Sequence, residues 1–178
     1  MKFLETELSG LWVIEPKVIN DPRGYFMEAF RKDQFEKHIG TVNFIQENES
    51  ISHQGVLRGL HYQREEAAQA KLVRVIKGKV LDVAVDIRKD SPTYGKHEIV
   101  ELSEENKKQF FIPRGFAHGF FVLSEYALFL YKVDNTYNPE MEVTINCFDS
   151  DINIPWPVKP SDVILSEKDK SGKSFNTI

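Results

Sequence analysis

Residues Gly55 to Gly78, GVLRGLHYQREEAAQAKLVRVIKG, decide the fold. Five residues separate Gly55 from His61, Gln63 stands two positions further on, and Lys71 lies seven residues before Gly78. In Lys71-Leu72-Val73-Arg74-Val75 a period of two places Lys71, Val73 and Val75 on one face of a strand. A lysine on such an apolar face is costly if buried without an anionic partner or ligand, whereas at a rim it reaches water. A protonated lysine cannot ligate a divalent cation, but it can itself be the fixed positive charge of a site.

A second motif, IPRGFAHG at 112–119, keeps Pro113, Gly115 and His118 in the spacing Pro-x-Gly-x-x-His. In this order the two motifs resemble those of the cupin barrels. In a metal-binding cupin a His-x-His pair would begin at His61 and a glutamate would stand near Lys71. Here Gln63 replaces the second histidine and an ammonium replaces the carboxylate. The second motif also departs, with Lys107 in place of its opening glycine and Val122 in place of its closing asparagine. The resemblance implies an all-β cupin, a double-stranded β-helix (jelly-roll) barrel with short peripheral helices, and no bound metal. His61 and His118 also fit the reading of ordinary half-buried strand histidines.

The rest of the composition is that of one globular domain, 1–178. The 178 residues suffice for a single core, and 41% are apolar, with 13 phenylalanines. No low-complexity tract or internal repeat occurs, and no apolar run has signal-peptide or membrane-spanning length, so no membrane partner is expected. Cys147 has no cysteine to pair with and reads as inert strand filler, which makes a cytoplasmic location the expectation. A net charge of −4 speaks against a nucleic-acid partner. It leaves open an anionic small ligand, provided that one pocket concentrates positive charge.

Leu11 to Ile19 reads as a strand interrupted by Pro16 and closed by the turn Asn20-Asp21-Pro22-Arg23-Gly24, after which Tyr25 to Phe30 is extended. Asp33 to Ile39 reads as a short helix ended by Gly40, with Phe35 and Ile39 on one face and His38 solvated on the other. From Val42 to Asp149 short alternating strands separated by turns point to a sandwich or barrel. Asp82, Ala84 and Asp86 oppose Leu81, Val83, Val85 and Ile87, and Phe129 and Tyr131 share a face. Apolar residues on both strand faces suit a barrel with an interior cleft. Residues 155–178 read as mostly irregular, with at most a helical turn, while His53, His97 and the Lys107-Lys108 turn read as loop or surface.

The strings RGYFMEAF, QENESIS, GVLRGLHYQ, AKLVRV, DIRKDSPTYG, IPRGFAHGF, LSEYALFLYK, WP and LSEKD occur in this order over nearly the whole chain. They resemble the dTDP-4-dehydrorhamnose 3,5-epimerase family, metal-free cupins of nucleotide-sugar biosynthesis. The resemblance implies inversion of dTDP-4-dehydro-6-deoxy-D-glucose at C3 and C5, giving dTDP-4-dehydro-L-rhamnose, without a cofactor. It also implies a homodimer, for which the apolar strand Leu11-Trp12-Val13-Ile14 is a candidate contact.

Carried over by position, His61 resembles the general base, Tyr131 the acid that reprotonates, Lys71 the residue near the keto oxygen and Asp169 the carboxylate partner of the histidine. Arg23 and Arg58 match contacts to the nucleotide diphosphate, and guanidinium forks suit phosphate oxygens. Tyr137 matches a residue that stacks on thymine. Glu28, Gln46, Asn48, His118, Glu142 and Lys168 match further substrate-binding positions. Other readings stay open at several of these. Ser166-x-x-Asp169 is also a helix capping box, Tyr131 a barrel-filling aromatic, the arginines surface ion pairs, and Glu28 and Glu142 solvated strand edges.

The chemistry asks for these residue types independently. C3 and C5 both lie α to the C4 ketone, so each proton can leave to form an enolate and return from the other face. The α-proton is weaker as an acid than imidazolium by more than about ten pKa units, an uphill transfer of well over about 10 kcal/mol. A base alone is insufficient, and a positive charge at the developing oxyanion and a second acid are required. The alternatives are an epimerase acting at only one carbon or on another sugar, a metal-dependent cupin, and a non-catalytic sugar-binding cupin.

Overall fold

The structure, a computed structural model, describes all of residues 1–178. Its strands, in chain order, begin with β1 (Lys2–Glu5), β2 (Trp12–Glu15), β3 (Val18–Asp21) and β4 (Gly24–Met27), followed by the helix α1 (Lys32–His38). Then come β5 (Gln46–His53), β6 (Leu57–Gln63), β7 (Lys71–Lys77), β8 (Lys79–Asp86) and β9 (His97–Ser103). The remainder is β10 (Gln109–Ile112), β11 (Phe116–Val122), β12 (Tyr126–Val133), β13 (Glu142–Thr144) and the one-turn helix α2 (Glu167–Lys170).

Two antiparallel sheets face each other, with orders β1-β2-β10-β7-β12-β5 and β13-β6-β11-β8-β9, and β3-β4 forms a separate hairpin. The strand alternation assigns the faces as expected. Val73 and Val75 of β7 and Phe129 of β12 meet Ala84 of β8 and Phe120 of β11 in the core between the sheets. Val83 and Val85 point the other way, where Ile154, Trp156 and Phe175 of the C-terminal segment cover them. Period two then carries the inner faces of β7 and β12 on to Lys71 and Tyr131, where the packed core gives way to a pocket.

One close approach fixes the site's strands. A Cβ on Gly59 would lie 2.6 Å from Gly119 Cα, and one on Gly119 would lie 2.7 Å from the Arg58 carbonyl oxygen. Only glycine at both positions lets β6 and β11 come together there, and the pairing sets His61 opposite His118.

The peripheral elements differ from expectation in detail. The helix spans Lys32–His38 with Ile39 as its C-cap, and Phe35 is buried against Phe111 in a T-shaped contact at 5.1 Å. His38 is exposed but stacks on Phe3 at 4.4 Å, since an imidazole face gains by covering an apolar ring. Lys107 lies over the Tyr25 ring at 4.2 Å rather than free in solvent. His53 closes β5 and is exposed at the surface as expected, while His97 opens β9 and is half-buried. The C-terminal segment is irregular but holds two turns, α2 and a 3-10 turn at Phe175–Thr177.

The expected partner strand is occupied within the chain. β2 is hydrogen-bonded to β1 on one edge and β10 on the other, and Leu11 and Ile14 are buried. The apolar surface left open lies instead on the β3-β4 hairpin, with Ile19, Tyr25 and Phe26, and on β5, with Ile51. No helix is long and apolar enough to cross a membrane.

Candidate active site

A cavity of about 740 Å³ opens between the two sheets and under the C-terminal segment. Strands contribute Arg58 and His61 from β6, Lys71 from β7, His118 from β11 and Tyr131 from β12. The segment around α2 adds Lys168 and Asp169, and Tyr137 and Glu142 form a further wall. Gln46 and Asn48 line an adjoining cavity of about 330 Å³, which shares His61, Lys71, Tyr131, Tyr137 and Glu142 with the first. Eleven of the thirteen site residues expected from sequence thus line two adjoining cavities, nine in the first and two more in the second. Arg23 and Glu28 do not. Arg23 pairs with Asp21 at 2.6 Å on the hairpin turn, and Glu28 faces Arg31 at 3.8 Å beyond the end of β4.

His61 Nε2 lies 2.5 Å from Asp169 Oδ1. Burial would raise the Asp169 carboxyl, but its bonds to His61 and Ser166 outweigh this and hold it below the usual carboxylate range. An ionised Asp169 only accepts, so Nε2 carries the hydrogen and Nδ1 is left free to take a proton. The Ser166 hydroxyl donates to Asp169 Oδ2 at 2.8 Å and accepts from the Asp169 backbone N–H at 3.1 Å. The N-cap half of the capping box and the histidine partnership are therefore both realised, and the Ser166 hydroxyl, in place of its backbone N–H, fixes the carboxylate that fixes the imidazole.

On the opposite sheet, burial raises the Tyr131 phenol, against Arg58 and Asn48, so that it stays a neutral acid. Arg58 Nε donates to Ser52 Oγ at 2.9 Å, which anchors it at the pocket wall. Tyr137 and Lys168 each donate to Glu142 Oε2 at 2.8 Å, joining the wall to α2.

Lys71 is the cation without a partner. Asp169 is engaged by His61, Glu142 by Lys168 and Asp82 by His118, and the Lys71 ammonium forms no ion pair. Burial lowers its pKa to about 8, with Asp82 and Glu142 opposing and Lys168 assisting. An unpaired ammonium facing a cavity is placed to receive an anionic oxygen.

Asp82 was not among the expected site residues. It is fully buried and lies 3.0 Å from His118 Nε2 through each carboxylate oxygen. The signal was present in sequence as a carboxylate on the inner face of a valine-rich strand. Gln63, where a metal-binding cupin has a ligand, serves the backbone instead. Its Oε1 accepts the Asn138 backbone N–H at 2.9 Å, tying β6 to the pocket wall rather than holding an ion.

The family model for dTDP-4-dehydrorhamnose 3,5-epimerase matches residues 5–177. The chain belongs to that family. A dTDP-4-dehydrorhamnose 3,5-epimerase from Shigella flexneri is 53% identical over 98% of this chain and 96% of its own length. The structure superimposes on a Legionella pneumophila epimerase solved with dTDP-4-keto-L-rhamnose, with TM-score 0.95 and 49% identity over 99% of this chain and 94% of that one. It also resembles a 3′-monoepimerase from Streptomyces bikiniensis solved with dTDP-quinovose, with TM-score 0.91 and 33% identity over 98% of this chain and 88% of that one. Within the epimerase family, then, one fold serves both double and single epimerisation. The two open sheets described above are its cupin-type jelly roll.

Proposed function

We propose that the chain is a dTDP-4-dehydrorhamnose 3,5-epimerase, converting dTDP-4-dehydro-6-deoxy-D-glucose to dTDP-4-dehydro-L-rhamnose by enolisation at C3 and C5. The observation that carries this reading is the placement of a carboxylate-oriented imidazole and a neutral phenol on opposite sheets, with an unpaired ammonium on the phenol's sheet lining the same cavity. His61 takes each α-proton through Nδ1, and Asp169 stabilises the imidazolium that forms. Lys71 holds the oxyanion developing at O4. Tyr131 returns a proton from the other face, which is what inverts the carbon. The ketone itself takes up the electron pair, so the chemistry calls for neither metal nor cofactor.

Arg58 and Lys168 supply donors for the rest of the ligand, His118 supplies the acceptor nitrogen of its ring, and Tyr137, an exposed aromatic at the cavity edge, suits stacking on the base. Gln46 and Asn48 extend this surface into the adjoining cavity. Running the reaction in deuterium oxide tests the assignment. Label entering at both C3 and C5 is the expected result, and label at a single carbon would replace it with a monoepimerase.

We further infer a homodimer. Phe26 is 66% exposed on a hairpin that also carries Arg23, and Glu28 follows directly after it. An apolar strand pair of this kind is poorly suited to water, and insertion against a second copy would bring Arg23 and Glu28 to the partner's ligand. At micromolar concentration the expected solution mass is that of two chains; a monomer would refute the dimer. The single buried, unpaired Cys147 suits a reducing, cytoplasmic setting.

A further inference from the structure

We propose that Asp82 is a positioning residue of this site: from behind the pocket wall it fixes His118 and keeps the Lys71 ammonium charged, without touching substrate. The inference rests on the proton-transfer reading above, in which a charged Lys71 is required.

Asp82 does not line the cavity; it lies behind His118, which does. Its surroundings are apolar, with Phe120 opposite on β11, Val100 opposite on β9, and Val80 and Ala84 on its own strand face, all buried. A carboxylate is strongly disfavoured there unless its charge is compensated. His118 Nε2 is its only hydrogen-bond partner. Burial holds His118 below the usual imidazole range, against the pull of Asp82, so the ring is a neutral donor and the pair keeps a negative charge. Of the cavity cations, Arg58 is anchored on Ser52 and Lys168 on Glu142, which leaves the Lys71 ammonium without a partner, and among the carboxylates that act on it Asp82 is the one not engaged by another cation or by His61.

The groups around Lys71 come from every side. They are Asp82 on β8, Glu142 on β13, His61 on β6, His118 on β11, Tyr131 on β12, and Lys168 with Asp169 on α2. Among them Asp82 is the largest influence keeping the proton on Lys71 against burial, which has brought its pKa to about 8. Lys71 is charged below that value and loses its charge above it, so the rate should fall as pH rises past about 8. Tyr131 titrates well above this range and does not set that limb.

Asp82→Asn keeps the side chain's size and can still accept the His118 hydrogen through its amide oxygen, removing only the charge. The test is the pH profile of kcat/KM with the dTDP-4-keto sugar. In Asp82→Asn the alkaline limb is expected to move down by about one pH unit, with activity largely regained at lower pH. Placed on Lys71→Arg, whose guanidinium stays charged throughout, Asp82→Asn should no longer move a limb. An unmoved limb, or an equal loss at every pH, overturns the proposal by showing a purely structural role. Should circular dichroism show the amide variant unfolded, Asp82→Thr, a neutral acceptor of similar size, decides by the same criteria. A wild-type chain that moves no solvent hydrogen into the sugar would defeat the epimerase reading itself, whereas wild-type turnover with an unmoved limb defeats only the role of Asp82.

Discussion

Replacing His61 with alanine is expected to lower turnover by about 10³-fold or more and to abolish deuterium uptake at C3 and C5 together. A positioned acid or base contributes roughly 10²- to 10⁴-fold, and in the proposed reaction one imidazole serves both carbons. Its effectiveness is built by its neighbours. Ser166 orders Asp169, Asp169 lies 2.5 Å from Nε2, and the imidazole is thereby left with Nδ1 as its only basic position. The His61 side chain is 23% exposed and that of Asp169 only 3%, so alanine at 61 opens space at the pocket wall rather than in the core. The variant should keep its melting behaviour and its affinity for dTDP, which separates lost chemistry from lost structure. Labelling at either carbon at an undiminished rate would remove His61 from the mechanism.

The second large effect separates the two halves of the reaction. Tyr131→Phe is expected to lower epimerisation by about 10²- to 10³-fold while solvent deuterium continues to enter the starting sugar with its configuration retained. In the proposed mechanism His61 can still remove a proton and return one to the same face, and Lys71 can still hold the enolate; only delivery from the opposite sheet is missing. The phenol ring fills the upper part of the core beside Phe129, at 6.1 Å between centroids, and phenylalanine preserves that packing. Mass spectrometry distinguishes label in recovered substrate from label in product. Loss of exchange and inversion in equal measure would show that Tyr131 acts at the enolisation step and not after it.

Much of this site was legible in sequence because its chemical groups sit on strands. Lys71 shares a face with Val73 and Val75, and Tyr131 with Phe129, so period two alone aimed both inward, and both line the pocket. The pairing of His61 with Asp169 was not readable from spacing, since 108 residues separate them and the segment bearing Asp169 has no periodicity to place it. It came from the family resemblance. Asp82 escaped for a different reason: a strand carboxylate is ordinarily a solvated one, and its burial depends on β9 and β11 closing over both sides of β8. Arg23 and Glu28 mark a third kind of limit. Their ion pairs within the chain are local and exposed, and neither lines the cavities that hold the other expected residues, so nothing in one chain brings them to the site.

The division of labour between strand and loop has a consequence for how such a protein can change. His61, Lys71, His118 and Tyr131 are held by four strands, two of them, β6 and β11, brought together by Gly59 and Gly119, while Tyr137, Ile164 and Leu165 come from connecting segments. Loops accept insertion and substitution far more readily than paired strands. A descendant of this chain could therefore acquire a new sugar, or stop after one inversion, by redrawing the pocket's outline alone. The strand-borne His61, Lys71 and Tyr131 would be inherited intact, and selection for a new substrate would not have to rebuild them.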